Sequence, residues 1–176
     1  VLNEYATLSK DEVQQKLEQT RTAYPQYRQL SLEERAKRLH ALADLIDQRQ
    51  QDIATLIAHE MGKPYQQGIS ETQISSSIAR FYADNLPELM ETEQRDVDGA
   101  VRAKIVKDPI GAVLGVMPWN YPLYQVIRFA APALAGGNVC LMKHASNVPG
   151  CADLITQLFH KADFEEGIFT WLPVGS

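Results

Sequence analysis

The sequence predicts an α/β fold, with a helical first half leading into a parallel sheet built from a βαβ unit. Two observations carry this expectation. Across residues 109–147 the hydrophobic period changes: an apolar run at 112–117 breaks at Pro118, restarts at Pro122 with helical spacing, and gives way to a second short apolar run at 139–142. Upstream, Ser9 with Glu12 and Ser31 with Glu34 have the spacing of capping boxes that open helices.

In chain order, the first helix follows the Ser9 box through Val13 and Leu17 towards Tyr24, and Pro25 closes it. The second starts at the Ser31 box with Leu32, Ala36, Leu39, Ala43 and Ile46 on one face. It continues as one helix through Ile53 and Ile57 to an end near Gly62 and Pro64. A third is expected over 67–85 through Ile74, Ile78, Phe81 and Tyr82, stopping before Pro87. Residues 86–100 turn acidic and poor in apolar side chains and read as a loop; 101–107, VRAKIVK, offer a strand of mixed polarity. The helix from Pro122 carries Leu123, Val126, Ile127, Ala130, Ala131 and Leu134 as one stripe, and Gly136 and Gly137 stop it. The strand at 139–142 ends in Lys143. A last helix begins near Pro149, with Cys151, Leu154, Ile155, Leu158 and Phe159 at helical spacing, and 168–172 is a further short strand.

Composition narrows the function classes. At 176 residues with 45% hydrophobic content the chain can bury a sizeable core. No apolar stretch is long enough for a bilayer helix, and a net charge of -5 with dispersed lysines and arginines argues against nucleic acid as a partner. The two cysteines, Cys140 and Cys151, lack metal-type spacing and suggest a reducing, cytoplasmic compartment; both fall on buried positions and read as small hydrophobes. His59-Glu60 is not continued by a second zincin histidine, and no metal site is expected.

The turn PWNYP carries chemistry. Pro118 fixes its own φ, and Pro122 restricts Tyr121 and preorganises the first helical turn, so Asn120 is held stiffly at the carboxyl end of a strand. Its amide suits an oxyanion hole, where a fixed neutral donor meets a developing negative oxygen. The alternative is a plain helix cap, for which Asn is a preferred residue. On the helix, Tyr121, Tyr124 and Arg128 share the face opposite the apolar stripe and leave the same end as Asn120.

PWNYP, the following APALAGGN and the strand ending in Lys143 resemble the aldehyde dehydrogenase superfamily. HEMGKP at 59–64 is similar to its E-x-G-K-P segment, and 165–174 to its G-V-x-N-x-V approach to the next loop, so nearly the whole chain is covered. Within the superfamily, PWNYPLYQVIR with KHASN is most similar to the bacterial succinate-semialdehyde dehydrogenases. The resemblance implies N-terminal helices plus the first part of a Rossmann-like cofactor-binding domain. Residues 1–100 would be its helical part, 101–108 a strand of an element used for subunit assembly into a homo-oligomer, and 109–176 the first βαβ part of the NAD(P)-binding domain. An ordinary surface strand is the alternative for 101–107.

By the same resemblance, Met117, Pro118, Trp119, Asn120, Lys143, His144, Ala145 and Ser146 lie along an NADP or NAD cofactor. Asn120 matches the donor to the thiohemiacetal oxyanion, and Lys143 the contact to the adenosine ribose. Tyr121, Tyr124 and Arg128 match substrate positions, with the Arg128 guanidinium able to hold a distal carboxylate in bidentate fashion; the alternative for Arg128 is a structural salt bridge. Two positions depart from the family: His144 stands where it usually has Pro, and Ser146 where NAD-preferring members carry a Glu bonded to the ribose 2'-hydroxyl. Ser146 does not repel a phosphate, so NADP is expected to be accepted or preferred. The implied reaction oxidises a small aldehyde to its acid through a cysteine thioester. The family's nucleophile and glutamate segments do not occur in these residues. The chain is therefore expected to be an N-terminal part, inactive alone; a non-catalytic nucleotide-binding or assembly module is the alternative.

Overall fold

The computed structural model describes residues 4–96, 98–99 and 102–175. Helices α1 (Lys10–Tyr27) and α2 (Leu32–Gln48) each start on a complete capping box, in which the serine hydroxyl accepts an N–H of the first turn and the glutamate accepts the serine's own N–H. Two amide protons that the helix cannot satisfy are thus taken at each start. Helix α1 does not stop at Pro25 as expected. It runs on to Tyr27, which is buried and whose hydroxyl donates to the Leu134 carbonyl at 3.0 Å. That tertiary anchor outweighs the single backbone hydrogen bond a proline removes.

The expected long second helix is two. Helix α2 ends at Gln48, Arg49 adopts φ −106° and ψ 15°, and α3 (Gln50–Met61) then runs to Gly62, whose φ of 74° is the left-handed stop. Ile46 and Ile53 stay buried on either side, which is why hydrophobic spacing concealed the break. Helix α4 (Tyr65–Leu89) is longer than expected at both ends and passes through Pro87, with Leu86 buried beside it. Within the expected loop, β1 (Glu93–Arg95) pairs antiparallel with β2 (Ala103–Ile105). Val101, where the expected strand begins, and the terminal Val1 and Ser176 lie outside the described residues.

The parallel sheet holds β3 (Ala112–Val116), β4 (Val139–Lys143) and β5 (Phe169–Trp171) in the order β3-β4-β5. Helices α5 (Pro122–Ala135) and α6 (Pro149–Lys161) are the crossovers. The register sets Val116 beside Lys143, and the Met117 N–H donates to the Lys143 carbonyl at 2.9 Å. The PWNYP turn and the loop after Lys143 therefore leave the sheet at its carboxyl end, where ligands of such folds bind. Strand β4 is central and buried; β3 forms a sheet edge with Leu114 and Val116 exposed.

Helices α2, α3 and α4 pack on α5 and α6, while α1 packs along the strands. The core between them includes Leu39, Leu42, Ile127, Leu134 and a stacked pair, Phe159 and Phe169, with ring centroids 3.8 Å apart. Cys140 and Cys151 lie in this core, and burial pushes both thiols up, away from reactivity. At the far end of α5, the Arg35 Nη1 donates to the Ala135 carbonyl at 2.7 Å, a cation placed on the negative end of the helix.

Candidate functional site

The turn between β3 and α5 presents Trp119, Asn120 and Tyr121 to solvent. Asn120 does not cap α5: Tyr121 precedes the helix, with no capping bond from its side chain, and the Asn120 amide has no hydrogen-bond partner among the described residues. The orphan N–H groups of α5 go elsewhere. Leu123 and Tyr124 donate to Glu71 Oε1 at 2.9 and 3.1 Å, and Glu71 Oε2 receives the Lys63 ammonium at 2.5 Å. Glu71 is 1% and Lys63 7% exposed. The Lys63 ammonium also stands 3.6 Å from the centre of the Tyr121 ring.

Tyr121, Tyr124 and Arg128 are brought together as the helical spacing required. The two tyrosine rings meet edge to face at 5.9 Å, and the Arg128 guanidinium lies 5.9 Å from the Tyr124 ring. Among the described residues no carboxylate pairs with Arg128. Tyr124 and Arg128 form one wall of an open groove of about 480 Å³; Ile74, Ser77, Ile78, Phe81 and Tyr82 of α4 form the other. A larger hollow of about 720 Å³ lies over α1 and is lined by glutamines, glutamates and small side chains, with no cation or nucleophile in it.

On the neighbouring strand, Lys143 is half-buried at the end of β4 and has no ion pair among the described residues, while Ser146 is exposed. Met117 and Ala145 pack against the core and Pro118 is exposed. His144 turns its ring inward. It is 4% exposed; its Nδ1 accepts the Ala145 N–H at 2.8 Å, which leaves Nε2 to donate to the Pro122 carbonyl at 3.0 Å. Both nitrogens are engaged inside the protein, so the imidazole ties the end of β4 to the start of α5.

Helix α6 is held in the same manner as α5. Gly150 and Cys151 donate to the two oxygens of Glu60, each at 2.7 Å. Sequence reasoning missed Glu60, Lys63 and Glu71 as a group. HEMGKP signalled the first two, but which helix starts they serve depends on contacts between distant parts of the chain. Among the described residues no group of His, Cys, Asp and Glu could hold a metal ion, and no helix is long and apolar enough to cross a membrane.

The aldehyde dehydrogenase family matches this sequence over residues 1–176. The chain belongs to that family. Among relatives of this aldehyde dehydrogenase family chain, the probable NADP(+) succinate-semialdehyde dehydrogenase of Synechocystis sp. is 43% identical over 167 residues, covering 95% of the chain and 37% of the relative. The NAD(P)+ succinate semialdehyde dehydrogenase of Escherichia coli is 35% identical over 162 residues, covering 92% of the chain and 35% of the relative. Among solved structures, the succinic semialdehyde dehydrogenase of Streptococcus pyogenes in complex with NADP+ superposes with a TM-score of 0.95 at 30% identity, over 99% of the chain and 38% of that protein. The chain thus spans well under half the length of the aldehyde dehydrogenases it matches, and its α/β fold is theirs.

Proposed function

We propose that these residues are the N-terminal, cofactor-binding portion of an NAD(P)-dependent aldehyde dehydrogenase that oxidises succinate semialdehyde, or an aldehyde similarly ended by a carboxylate. The carrying observation is Arg128, a cation without a carboxylate partner among the described residues, on the groove wall formed by α5, the helix that follows the Asn120 turn. A planar guanidinium beside an aromatic wall suits the far carboxylate of such a substrate. Asn120, whose amide is unengaged, would donate to the oxyanion formed at the aldehyde carbon. The names of the Synechocystis and Escherichia coli relatives agree with this substrate class.

The rim fits a nicotinamide dinucleotide. Lys143 offers an ammonium with no ion pair among the described residues, Ser146 a small neutral hydroxyl, and Trp119 an exposed ring at the same end of the sheet. Lys143 would hold the adenosine ribose, and without a carboxylate at position 146 its ammonium could also pair with a 2'-phosphate, which favours NADP. Met117, Pro118 and Ala145 would contribute the contact surface. The bound nicotinamide would supply the hydride acceptor, while this chain binds, orients and stabilises charge. We assign the nucleophile and the water-activating glutamate to other parts of the enzyme, 101–108 to subunit assembly in a homo-oligomer, and the site of action to the cytoplasm.

Arg128→Ala in the full-length enzyme tests the reading. It should raise KM for succinate semialdehyde by at least about tenfold more than for an uncharged aldehyde of similar length, because a charge-assisted bidentate pair is lost for only one of them. Equal effects on both substrates would refute the carboxylate role, and strong NAD selectivity in the same assays would refute the cofactor preference.

A further inference from the structure

We infer that the buried Lys63–Glu71 ion pair is a positioning device for the Asn120 turn, acting through the first amides of α5 and the Tyr121 ring; the inference rests on the role proposed for Asn120. Three contacts converge on residues 121–124. Glu71 Oε1 accepts the N–H of Leu123 at 2.9 Å and of Tyr124 at 3.1 Å, and Lys63, bound to the other carboxylate oxygen, sets its ammonium 3.6 Å from the Tyr121 ring centre. Side chains at both ends of the ion pair are all but excluded from water, at 5% and 0% exposure. Burying two charges in this way seldom adds stability over a well-packed apolar pair, whereas it does fix a geometry.

Simple capping does not need the lysine. Glu60 takes two amide protons of α6 with no lysine or arginine bound to it among the described residues. What Lys63 adds at α5 is a grip on the aromatic ring next to Asn120. Pro118 and Pro122 stiffen the backbone of the turn, but neither fixes where the turn sits relative to α4. The ion pair does, because Glu71 belongs to α4 and Lys63 to the segment just before it. Asn120 and the groove wall formed by α4 are thereby held in one frame.

The test uses the full-length enzyme with saturating cofactor. Lys63→Met removes the ammonium, and Lys63→Gln with Glu71→Gln replaces the charged pair by two amides that can bond each other and still accept the α5 amide protons. Both should lower kcat by about tenfold or more, since small displacements of a positioned group can cost up to about 100-fold, while cofactor Kd stays unchanged. The double variant should unfold at the wild-type temperature. Wild-type kcat in a folded variant that has lost the ammonium overturns the inference, as does a kcat loss that only tracks the fraction unfolded. Asn120→Ala separates the two levels: if it retains kcat, the oxyanion role itself fails and the positioning argument with it. If it loses kcat while the double variant keeps it, positioning alone is wrong.

Discussion

At position 144 a buried imidazole has both ring nitrogens bonded within the protein, one accepting from Ala145 and the other donating to the Pro122 carbonyl. Burial holds its pKa below the ordinary 6.5, the Pro122 bond and Glu60 oppose that, and Lys143 adds to it. Below pH 6.5 the unfolded chain takes up a proton that the folded one refuses. Stability from this group is therefore complete above that pH and drains away as the pH falls towards the lower, folded value. His144→Gln should flatten this acid limb in urea unfolding followed against pH; an unchanged slope would assign the limb to other groups. Asn120, Lys143 and Arg128 stood out as candidates because their neighbours in sequence form a recognisable motif. Glu71 was not, since the amides it serves lie 52 and 53 residues away and nothing local marks them.

At the scale of elements, the start of α6 depends on the absence of a side chain. A Cβ on Gly150 would stand 2.8 Å from Glu60 Oε1 and 3.1 Å from its Cδ, so Gly150→Ala must push the capping carboxylate away. Loss of that cap should cost about 1–2 kcal/mol in chemical denaturation, and Glu60→Ala should cost a similar amount. If Gly150→Ala were neutral, α6 would be held by packing rather than by Glu60. The strands and helices themselves were legible wherever the hydrophobic period changed, as at Pro118 and Asn138. Breaks without a change of period were hidden: Arg49 divides α2 from α3 inside one continuous stripe. The prolines misled in the opposite sense: α1 runs past Pro25 to the buried Tyr27, and α4 runs past Pro87 to Leu89, after which the Met90 N–H still donates to the Leu86 carbonyl.

Across the whole molecule, β3 and β5 are the outer strands of the parallel sheet among the described residues, and the β3 side carries the exposed apolar side chains. Strand β3 has no neighbour on its outer side among the described residues, and beside it Ile110, Leu114 and Val116 are 87%, 57% and 68% exposed. An apolar, unpaired edge invites pairing with another chain. The 176-residue chain alone should therefore self-associate with rising concentration in sedimentation velocity, and Leu114→Lys with Val116→Lys should suppress this; a monomer at every concentration would show the edge to be inert. The rim at the carboxyl end of these strands has a different character. Helix starts at such a rim ordinarily attract phosphate, yet the amides of α5 and α6 are already bound to carboxylates. The dipole at each of these helix starts is already answered from within the protein, by Glu71 at α5 and Glu60 at α6. Among the described residues these two helix starts therefore offer a phosphate no free amide, and the positive charge beside them is the side chain of Lys143 at the end of β4.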